Sequence, residues 1–395
     1  MSDFENKAAR VVLKKGRARS VNNFHPWIFS GAVDRIEGEF TPGDIVTVVS
    51  YDGKFQAKGF VNPLSQIVVR LLSFRDEPID DDFFRKRLQQ AMAFRQQMVE
   101  PHTNAYRLVH GDGDLISGLV VDRYDRAVVI QLVSRGVSRL RDKWVEWIGE
   151  LLRPEVIVER SETMGMEREG LTPIRQILYG NLDGPVEIVE NGVRFLVDLW
   201  EGQKTGFFLD QRDNRQRMAQ LAAGKRMLNC FSYTGGFSVA AALKGAQTVS
   251  VEISETAQQI ARENFRLNGL NPDDHQFVNA NVFEYLRTLD ESFEVIVLDP
   301  PAFVKKKANL TKGARGYKDI NRLAMEKIAP DGLLLSCSCS HYVDWDLFQK
   351  ILFSAARESG RQVQIIGRFG QPPDHAINIY HPESEYLKSF LLRVI

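Results

Sequence analysis

Two groups of chemically reactive residues follow short apolar stretches in the second half of the chain. Asp299, Pro300 and Pro301 come directly after the apolar run at 295–298, and Cys337 and Cys339 stand at the end of another run that begins at residue 333. Proline cannot donate to a sheet ladder, so the two prolines force the chain out of the sheet behind a carboxylate. The alternative is an ordinary proline turn. If both runs are strands of one parallel sheet, a carboxylate and a thiol meet at the edge where α/β sheets bind ligands.

Other residues at predicted strand ends are typical of a nucleoside site. Gly235 and Gly236 follow the predicted strand 227–231 and allow close backbone approach to a ligand. Glu252 ends the next strand, where a carboxylate would accept hydrogen bonds from ribose hydroxyls, and Asn281 follows the third, within reach of an adenine edge. The candidate cofactor-binding residues are Phe231, Tyr233, Thr234, Gly235, Glu252, Asn281 and Asp299.

Two common nucleotide motifs are absent from this region. The sequence has neither G-x-G-x-x-G nor Gly-Lys-Ser/Thr after the first strand, so binding of a dinucleotide pyrophosphate or a triphosphate is poorly supported. A glycine loop without a phosphate cradle, an acid for ribose and Asp-Pro-Pro after the fourth strand are together the signature of S-adenosylmethionine-dependent methyltransferases. The sequence therefore predicts S-adenosylmethionine as the cofactor.

The cysteines indicate which atom receives the methyl group. Alternation in a strand places Cys337 and Cys339 on one face, with Cys339 further toward the crevice. Pyrimidine C5 is a weak nucleophile, but a thiolate that adds to C6 makes C5 enamine-like. Buried cysteine is often only a small hydrophobic residue, and Cys-x-Cys-x-His resembles half a metal site. With one other cysteine in the chain, we expect no metal.

A run of cations follows the Asp-Pro-Pro turn. Lys305, Lys306, Lys307, Lys312 and Arg315 occur with no acid among them. Such a run is usually a solvated loop, but its position favours a clamp for RNA phosphates.

Two apolar residues of the same turn are also candidates for substrate contact. We predict that Pro300 contacts RNA and that Phe303 stacks on a flipped-out base, with core packing equally open for Phe303.

The composition is that of a globular protein of more than one domain. The 395 residues exceed the usual size of one hydrophobic core, and 44% are hydrophobic and 26% charged. No apolar run approaches the roughly 20 residues that span a bilayer, so no membrane association is expected. The N-terminus lacks a secretory signal, and three cysteines make no disulfide framework; both indicate a cytoplasmic location.

Hydrophobic patterns predict three domains. Residues 1–75 are basic and rich in short strands, such as 45–49 and 67–72. Residues 76–200 form a small α+β domain that begins with an acid-capped helix and ends in a hairpin around Asn191 and Gly192. Residues 201–395 alternate strands and helices, including a helix over 254–268, and predict a Rossmann-like, doubly wound, mostly parallel sheet.

The first domain carries a candidate RNA surface. Lys14, Lys15, Arg17 and Arg19 precede the aromatic cluster at 24–29, and basic charge beside stackable rings suits unpaired RNA. A solvated basic face with a small aromatic core is the alternative. The basic opening strand, His-Pro-Trp-Ile-Phe and Pro-Gly-Asp before an apolar strand resemble a PUA-like β-barrel.

The whole chain resembles bacterial RNA 5-methylcytosine methyltransferases of the large-subunit ribosomal RNA methyltransferase I type. The resemblance rests on Leu-Asp-Pro-Pro-Ala-Phe at 298–303, Ser-Cys-Ser-Cys-Ser-His at 336–341 and the stretch at 205–212. It implies cytosine C5 methylation in 23S ribosomal RNA, with Cys339 as nucleophile and Asp299 beside it. Many such enzymes carry a second cysteine after Pro-Pro, where this chain has Ala302. The group that assists release or C5 deprotonation is thus open between Cys337 and a water held by Asp299.

Two other functions remain open from the sequence. In a methyltransferase acting on a purine nitrogen, the Asp-Pro-Pro carbonyls would orient the amine and the cysteines would be structural. In a non-catalytic RNA-binding assembly factor, the cofactor fold would be vestigial. The sequence leaves open whether the protein is a monomer or a homodimer.

Overall fold

The computed structural model describes residues 5–163 and 165–395, with side chains from Ala9 onward. It contains two compact units. The first comprises Met1–Ile188, Val197–Leu209 and Pro373–Ser384, and the second comprises Val189–Leu196, Asp210–Pro372 and Glu385–Ile395. Each unit is therefore assembled from separate stretches of chain. None of the helices in the described part is long and apolar enough to cross a membrane.

The secondary structure follows the alternation expected from the sequence in the second half of the chain. The strands of the described residues are β1 (Glu5–Leu13), β2 (Trp27–Phe29), β3 (Val33–Glu37), β4 (Ile45–Val49), β5 (Phe55–Val61), β6 (Ile67–Ser73), β7 (Ala105–His110), β8 (Leu119–Tyr124), β9 (Ala127–Leu132), β10 (Val156–Ser161), β11 (Ile174–Gly180), β12 (Val186–Glu190), β13 (Val193–Val197), β14 (Arg226–Cys230), β15 (Gln247–Glu252), β16 (Gln276–Asn279), β17 (Phe293–Leu298), β18 (Ile328–Ser338), β19 (Val363–Phe369) and β20 (Lys388–Val394). The helices are α1 (Arg19–Asn22), α2 (Asp81–Met98), α3 (Arg135–Arg139), α4 (Arg141–Leu152), α5 (Arg212–Leu221), α6 (Gly236–Ala242), α7 (Glu255–Leu267), α8 (Val282–Thr288), α9 (Leu310–Lys327) and α10 (Trp345–Ser359).

The first unit contains two sheets that share an apolar core. A six-stranded sheet has the order β2-β6-β5-β4-β1-β3, and a five-stranded sheet has the order β11-β10-β9-β8-β7. Ile45 and Phe60 of the six-stranded sheet pack in one cluster with Trp144 and Trp147 of α4. At Gly136 of α3, an added Cβ would lie 2.0 Å from the Phe60 ring, so glycine allows the close contact. The three-domain division stays a prediction.

An acidic helix cap and an Asn-Gly turn explain where the predicted helix and hairpin of the middle region form. The Asp80 carboxylate accepts a hydrogen bond from the Phe83 N–H at 3.0 Å, so α2 begins at its acidic cap. Between β12 and β13, Asn191 and Gly192 both have positive φ, at 49° and 81°. Those values are required by the tight hairpin turn that Asn-Gly predicts. Both expectations are confirmed.

The second unit is built on a seven-stranded sheet. Its order is β16-β15-β14-β17-β18-β20-β19; β14 to β18 run parallel, and β20 pairs antiparallel with both β18 and β19. Apolar residues cover both faces: Leu228 and Ile296 belong to one core cluster, and Met227 and Val295 to the other. The predicted doubly wound, mostly parallel sheet is confirmed.

Several elements escaped the sequence patterns. The strand β11 was not predicted because it is an edge strand whose side chains are mostly half-exposed, which weakens the alternation. The strand β18 begins at Ile328, five residues before the predicted 333. The pattern missed this start because Pro-Asp-Gly at 330–332 is a turn signal, and Asp331 has a φ of 61° within the strand. The pairing with β17 is irregular at this point.

Candidate active site

The candidate residues lie at one edge of the seven-stranded sheet. The parallel strands β14, β15, β17 and β18 end at the same edge. Phe231 follows β14, Glu252 ends β15, Asp299 follows β17 and Cys339 follows β18. Since β14 and β17 are neighbours in the sheet, and β17 and β18 are too, the glycine loop, Asp299 and Cys339 are brought to adjacent strand ends.

The loop after β14 makes a tight turn. Phe231, Tyr233 and Gly235 all have positive φ, at 60°, 48° and 79°. Left-handed backbone is costly for the two aromatic residues, and such strain clusters at ligand sites. An added Cβ on Gly235 would lie 3.0 Å from the Ala261 Cβ, so glycine lets α7 approach the loop. The backbone there is shaped by contacts around the loop rather than by local preference.

Glu252 organises this loop through its carboxylate. Oε2 accepts from the Tyr233 N–H at 3.0 Å, and Oε1 accepts from the N–H groups of Ile253 at 2.9 Å and Ser254 at 3.0 Å. A carboxylate has about four lone-pair positions, so capacity remains for a hydroxyl donor. The carboxylate is thus oriented before any ligand arrives.

Two buried hydroxyls in the loop indicate that the site fits a polar ligand. The side-chain oxygens of Ser232 and Thr234 are buried, and neither has a hydrogen-bond partner among the described residues. The Thr234 carbonyl accepts from Asn264 Nδ2 at 2.9 Å, which holds its backbone in place. Unsatisfied polar groups beside an oriented carboxylate suit the ribose and amino-acid parts of S-adenosylmethionine, which supplies an electrophilic methyl group when bound.

Asn281 has a structural partner as well as its predicted ligand. Its Oδ1 accepts from the Phe283 N–H at 2.9 Å and caps α8. The side chain is exposed, and its amide nitrogen is the group left to meet an adenine edge. The cap fixes the position of the side chain next to β16. Contact of its amide with adenine stays a prediction.

The loop after Asp299 is tied to the Cys339 segment through Ser340. The Val304 N–H donates to Ser340 Oγ at 3.2 Å, and the hydroxyls of Ser340 and Tyr317 are 2.9 Å apart. Ser340 is fully buried. One hydroxyl therefore joins the Asp-Pro-Pro loop, helix α9 and the end of β18. The sequence offered no sign of this arrangement.

The two cysteines have different surroundings. Cys337 is 1% exposed, and Ser389 Oγ lies 3.2 Å from its sulfur. Burial, followed by the nearby Asp299 charge, raises the pKa of Cys337 well above the ordinary thiol value. Cys339, beyond the end of the strand, is half-buried. Cys337 stays a neutral thiol, which leaves Cys339 as the accessible sulfur.

The described residues contain no group of three or more His, Cys, Asp or Glu side chains that could hold a metal ion. Within the described chain, the Cys-x-Cys-x-His stretch therefore has no metal-site geometry.

Lys388 is a charged residue of the site that sequence reasoning missed. It lies on β20 opposite Ser338, and its side chain is buried. Nζ donates to the carbonyl oxygens of Ser340 at 2.9 Å and Tyr386 at 2.8 Å. Burial lowers the pKa of Lys388, and the nearby Cys339 acts to raise it. A lysine inside the mostly apolar stretch 387–392 is the sequence signal that could have revealed it.

The predicted substrate-side residues separate into packed and exposed groups. The Phe303 ring lies 4.6 Å from the Tyr317 ring and 5.9 Å from the Phe283 ring, so it packs against the core. Pro300 is buried. Among the described residues, none of the five cations of the predicted phosphate clamp forms an ion pair. All five are exposed: Lys305, Lys306, Lys307, Lys312 and Arg315. The packing alternative for Phe303 is supported, and its contact with a base stays a prediction.

Comparison with known proteins agrees with the fold. Residues 175–393 match the S-adenosylmethionine-dependent methyltransferase family, and residues 11–74 match the PUA-like domain family. Ribosomal RNA large subunit methyltransferase I of Shewanella denitrificans is 42% identical over 98% of this chain and 100% of its own length. The chain belongs to this methyltransferase family. The predicted fold class and cofactor are confirmed.

One more relative and one solved structure match nearly the whole length of this chain. Ribosomal RNA large subunit methyltransferase I of Klebsiella pneumoniae is 43% identical over 98% of both chains. A crystal structure of a proposed methyltransferase in complex with S-adenosylhomocysteine has a TM-score of 0.83 and 25% identity, covering 98% of this chain and all of the other. The fold thus recurs in a protein whose crystal structure holds the demethylated cofactor.

Proposed function

We propose that the protein methylates cytosine C5 in 23S ribosomal RNA through a covalent bond between Cys339 and C6. The observation that carries the proposal is the half-buried Cys339 at the end of β18, next to the Asp299 strand, while Cys337 is buried with a raised pKa. The names of the curated relatives support ribosomal RNA of the large subunit as the substrate.

The proposed reaction has four steps on the base. The Cys339 thiolate adds to C6, and the electrons of the C5–C6 double bond make C5 nucleophilic. C5 forms a bond to the methyl carbon as the bond between that carbon and the donor sulfur breaks. A base removes the proton from C5, and the electron pair of that C–H bond stays on C5. That pair then restores the C5–C6 double bond as the bond between C6 and sulfur breaks, and Cys339 leaves as a thiolate.

Asp299 is the stronger candidate for the group that assists loss of the C5 proton. A base must be able to accept a proton, and the raised pKa of Cys337 keeps its sulfur protonated. Asp299 is half-buried at the end of β17, where it reaches the same edge as Cys339. We therefore assign the role to Asp299, acting through a water molecule.

The exposed cations after Asp-Pro-Pro would hold the RNA backbone near this edge. Lys305, Lys306, Lys307 and Arg315 lie on the loop and the start of α9, immediately after Pro301. Free surface cations attract phosphates without reading sequence. Pro300 and Phe303 would then shape the pocket for the base, with Phe303 positioned by its contacts with Tyr317 and Phe283.

The first unit provides a second surface suited to unpaired RNA. Phe24 and Tyr380 are 47% and 50% exposed, and their ring centroids lie 5.2 Å apart. Phe24 has a φ of 58°, a strained value for an aromatic residue, and its ring also contacts Phe74. Exposed rings stack on bases, and nearby cations attract phosphates. Four exposed cations precede Phe24 in the chain: Lys14, Lys15, Arg17 and Arg19.

The test is methyl transfer to ribosomal RNA by Cys339→Ala, followed by mass spectrometry of the product nucleosides. The wild type should form 5-methylcytidine, and the variant should be at least about a thousandfold slower because it lacks the nucleophile. Cys230→Ala, which removes a buried thiol from β14, is the matched control and should keep most of the activity.

Two outcomes would contradict the proposal. Unchanged activity of Cys339→Ala would exclude the covalent route. A methylated purine in the wild-type product would favour the alternative in which the Asp-Pro-Pro carbonyls orient an amine. A cytoplasmic location remains a prediction, and the choice between monomer and homodimer stays open.

A further inference from the structure

We propose that Lys388 is a positioning residue that keeps the sulfur of Cys339 in its thiolate form. The proposal deepens the proposed function, since it rests on Cys339 as the nucleophile. Lysine is rare in the interior of an apolar strand, and a buried ammonium needs both hydrogen bonds and a compensating charge. The neighbourhood of Lys388 provides both.

The backbone brings Lys388 to the segment that carries Cys339. In the antiparallel pair of β18 and β20, Lys388 lies opposite Ser338. Its Nζ then reaches beyond the strand end to the Ser340 carbonyl at 2.9 Å. Cys339 thus lies in the chain between Ser338, which pairs with Lys388, and Ser340, whose carbonyl accepts from its Nζ. A second bond, to the Tyr386 carbonyl at 2.8 Å, holds Nζ in this position.

The charges around the sulfur make this ammonium important. Cys339 and Lys388 interact electrostatically, and Cys339 also acts on Cys337 and on Tyr317, whose pKa is raised by burial. Nearby carboxylates, by contrast, would oppose a thiolate. The Asp299 charge raises the pKa of Cys337, and the charges of Glu385 and Asp344 act to raise the pKa of Lys388.

Two of those carboxylates are held by other groups. Asp344 caps α10 by accepting from the Leu347 N–H at 2.8 Å, and Glu385 accepts from Trp345 Nε1 at 2.8 Å. Lys388 instead donates to the carbonyl of Ser340, the residue after Cys339, and to that of Tyr386. The cation and the sulfur therefore form an ammonium–thiolate pair, and the thiol proton passes to water before RNA binds. Either charge favours the other in a low-dielectric site.

The consequence is a thiolate that is ready to add to C6. Only the thiolate is nucleophilic, so the fraction in that form sets the rate of addition. Lys388 does not touch the reacting atoms in this proposal. It acts through Cys339, by charge and by fixing the backbone at Ser340.

Alkylation of Cys339 by iodoacetamide tests the proposal without RNA or cofactor. The rate at the Cys339 peptide is measured by mass spectrometry from pH 5 to pH 10 in the full-length protein. The wild-type profile should have its midpoint below about 8.5, the value for a free thiol. In Lys388→Met the midpoint should rise by about one pH unit or more, with about a tenfold slower reaction at pH 7. Lys388→Arg keeps the charge and should restore most of the shift.

The outcomes separate this proposal from the proposed function. A midpoint at or above the free-thiol value in the wild type overturns the role of Lys388, and that measurement needs no variant. Superimposable profiles for the wild type and a folded Lys388→Met do the same. If the alkylation results are as expected but Cys339→Ala still methylates RNA, the thiolate pair stands and the covalent mechanism fails. The buried Cys230 and Cys337 should stay unreacted and serve as internal controls.

Discussion

At the scale of single residues, the site combines groups that are held in place before any ligand binds. The Glu252 carboxylate is fixed by three backbone N–H donors, and Ser340 joins the Asp-Pro-Pro loop to Tyr317. Preorganised groups lose little freedom on binding, which makes their effect on affinity large. Glu252 is the residue where this can be measured for the cofactor alone.

Replacing Glu252 with Gln should weaken S-adenosylmethionine binding by about tenfold or more. Gln has a similar shape but no charge, and a hydrogen bond to a charged group is worth about 1.5–3 kcal/mol. Isothermal titration calorimetry measures the change directly. Glu255→Gln alters an exposed carboxylate in the first turn of α7 and should bind as the wild type does. Equal affinity in Glu252→Gln and the wild type would exclude Glu252 from the cofactor site.

At the scale of elements, the start of helix α9 must lie close to the loop that follows Asp-Pro-Pro. An added Cβ on Gly313 would lie 2.3 Å from Val304 Cγ2 and 2.8 Å from the Phe303 carbonyl oxygen. An added Cβ on Gly316 would lie 3.3 Å from the Phe303 ring. Two glycines one helical turn apart thus let α9 pack on the loop that positions Phe303.

Gly313→Ala should therefore destabilise the protein by about 1–3 kcal/mol, as overpacking does, and should slow methyl transfer. Gly149→Ala is the matched control. Gly149 lies inside helix α4, and an added Cβ there meets nothing within 4 Å, so alanine should stabilise by about 0.5–1 kcal/mol. Urea unfolding of the two variants compares them. If both variants changed the free energy of unfolding in the same direction, close packing at Gly313 would not explain the effect of its substitution.

At the scale of the whole molecule, the first unit contains a buried charged cluster that joins Glu169 to the six-stranded sheet and the β5–β6 connection. Glu169 is 4% exposed and accepts from Ser65 Oγ at 2.8 Å, Asn62 Nδ2 at 3.0 Å and the Arg70 guanidinium at 2.9 Å. Burial acts to raise the pKa of Glu169, but the Arg70 charge and these hydrogen bonds outweigh it, so the pKa is lowered. The ionised form is therefore favoured by folding.

A lowered pKa makes the contribution of Glu169 dependent on pH. The stabilisation is present above the ordinary carboxyl value of about 4.5 and is lost as the pH falls through the lower value of the folded state. Glu169→Gln should reduce the free energy of unfolding at pH 7 by about 2–4 kcal/mol, and the difference from the wild type should shrink toward pH 3. Urea titrations across that range measure it, with the exposed Glu167→Gln as control. A penalty that stays constant with pH would show that the charge is not responsible.

The sequence alone was enough to place the cofactor fold and the ends of its strands. Short apolar runs, Asp-Pro-Pro, the glycines after β14 and the Ser254 cap are local signals, and local chemistry sets where strands stop and helices begin. For the same reason the candidate residues Phe231, Glu252, Asp299 and Cys339 were predicted at the correct ends of their strands. Weakly alternating edge strands such as β11 carried too little of this signal.

The tertiary structure alone decided which distant residues meet at those ends. Lys388 lies beside Cys339 because β20 pairs antiparallel with β18 in one register, and Tyr317 reaches Ser340 because glycines let α9 pack closely. The stretch Pro373–Ser384 joins the first unit, although it connects two strands of the second. Strand pairing, register and packing depend on the free energy of the folded chain as a whole, and no local spacing of residues encodes them.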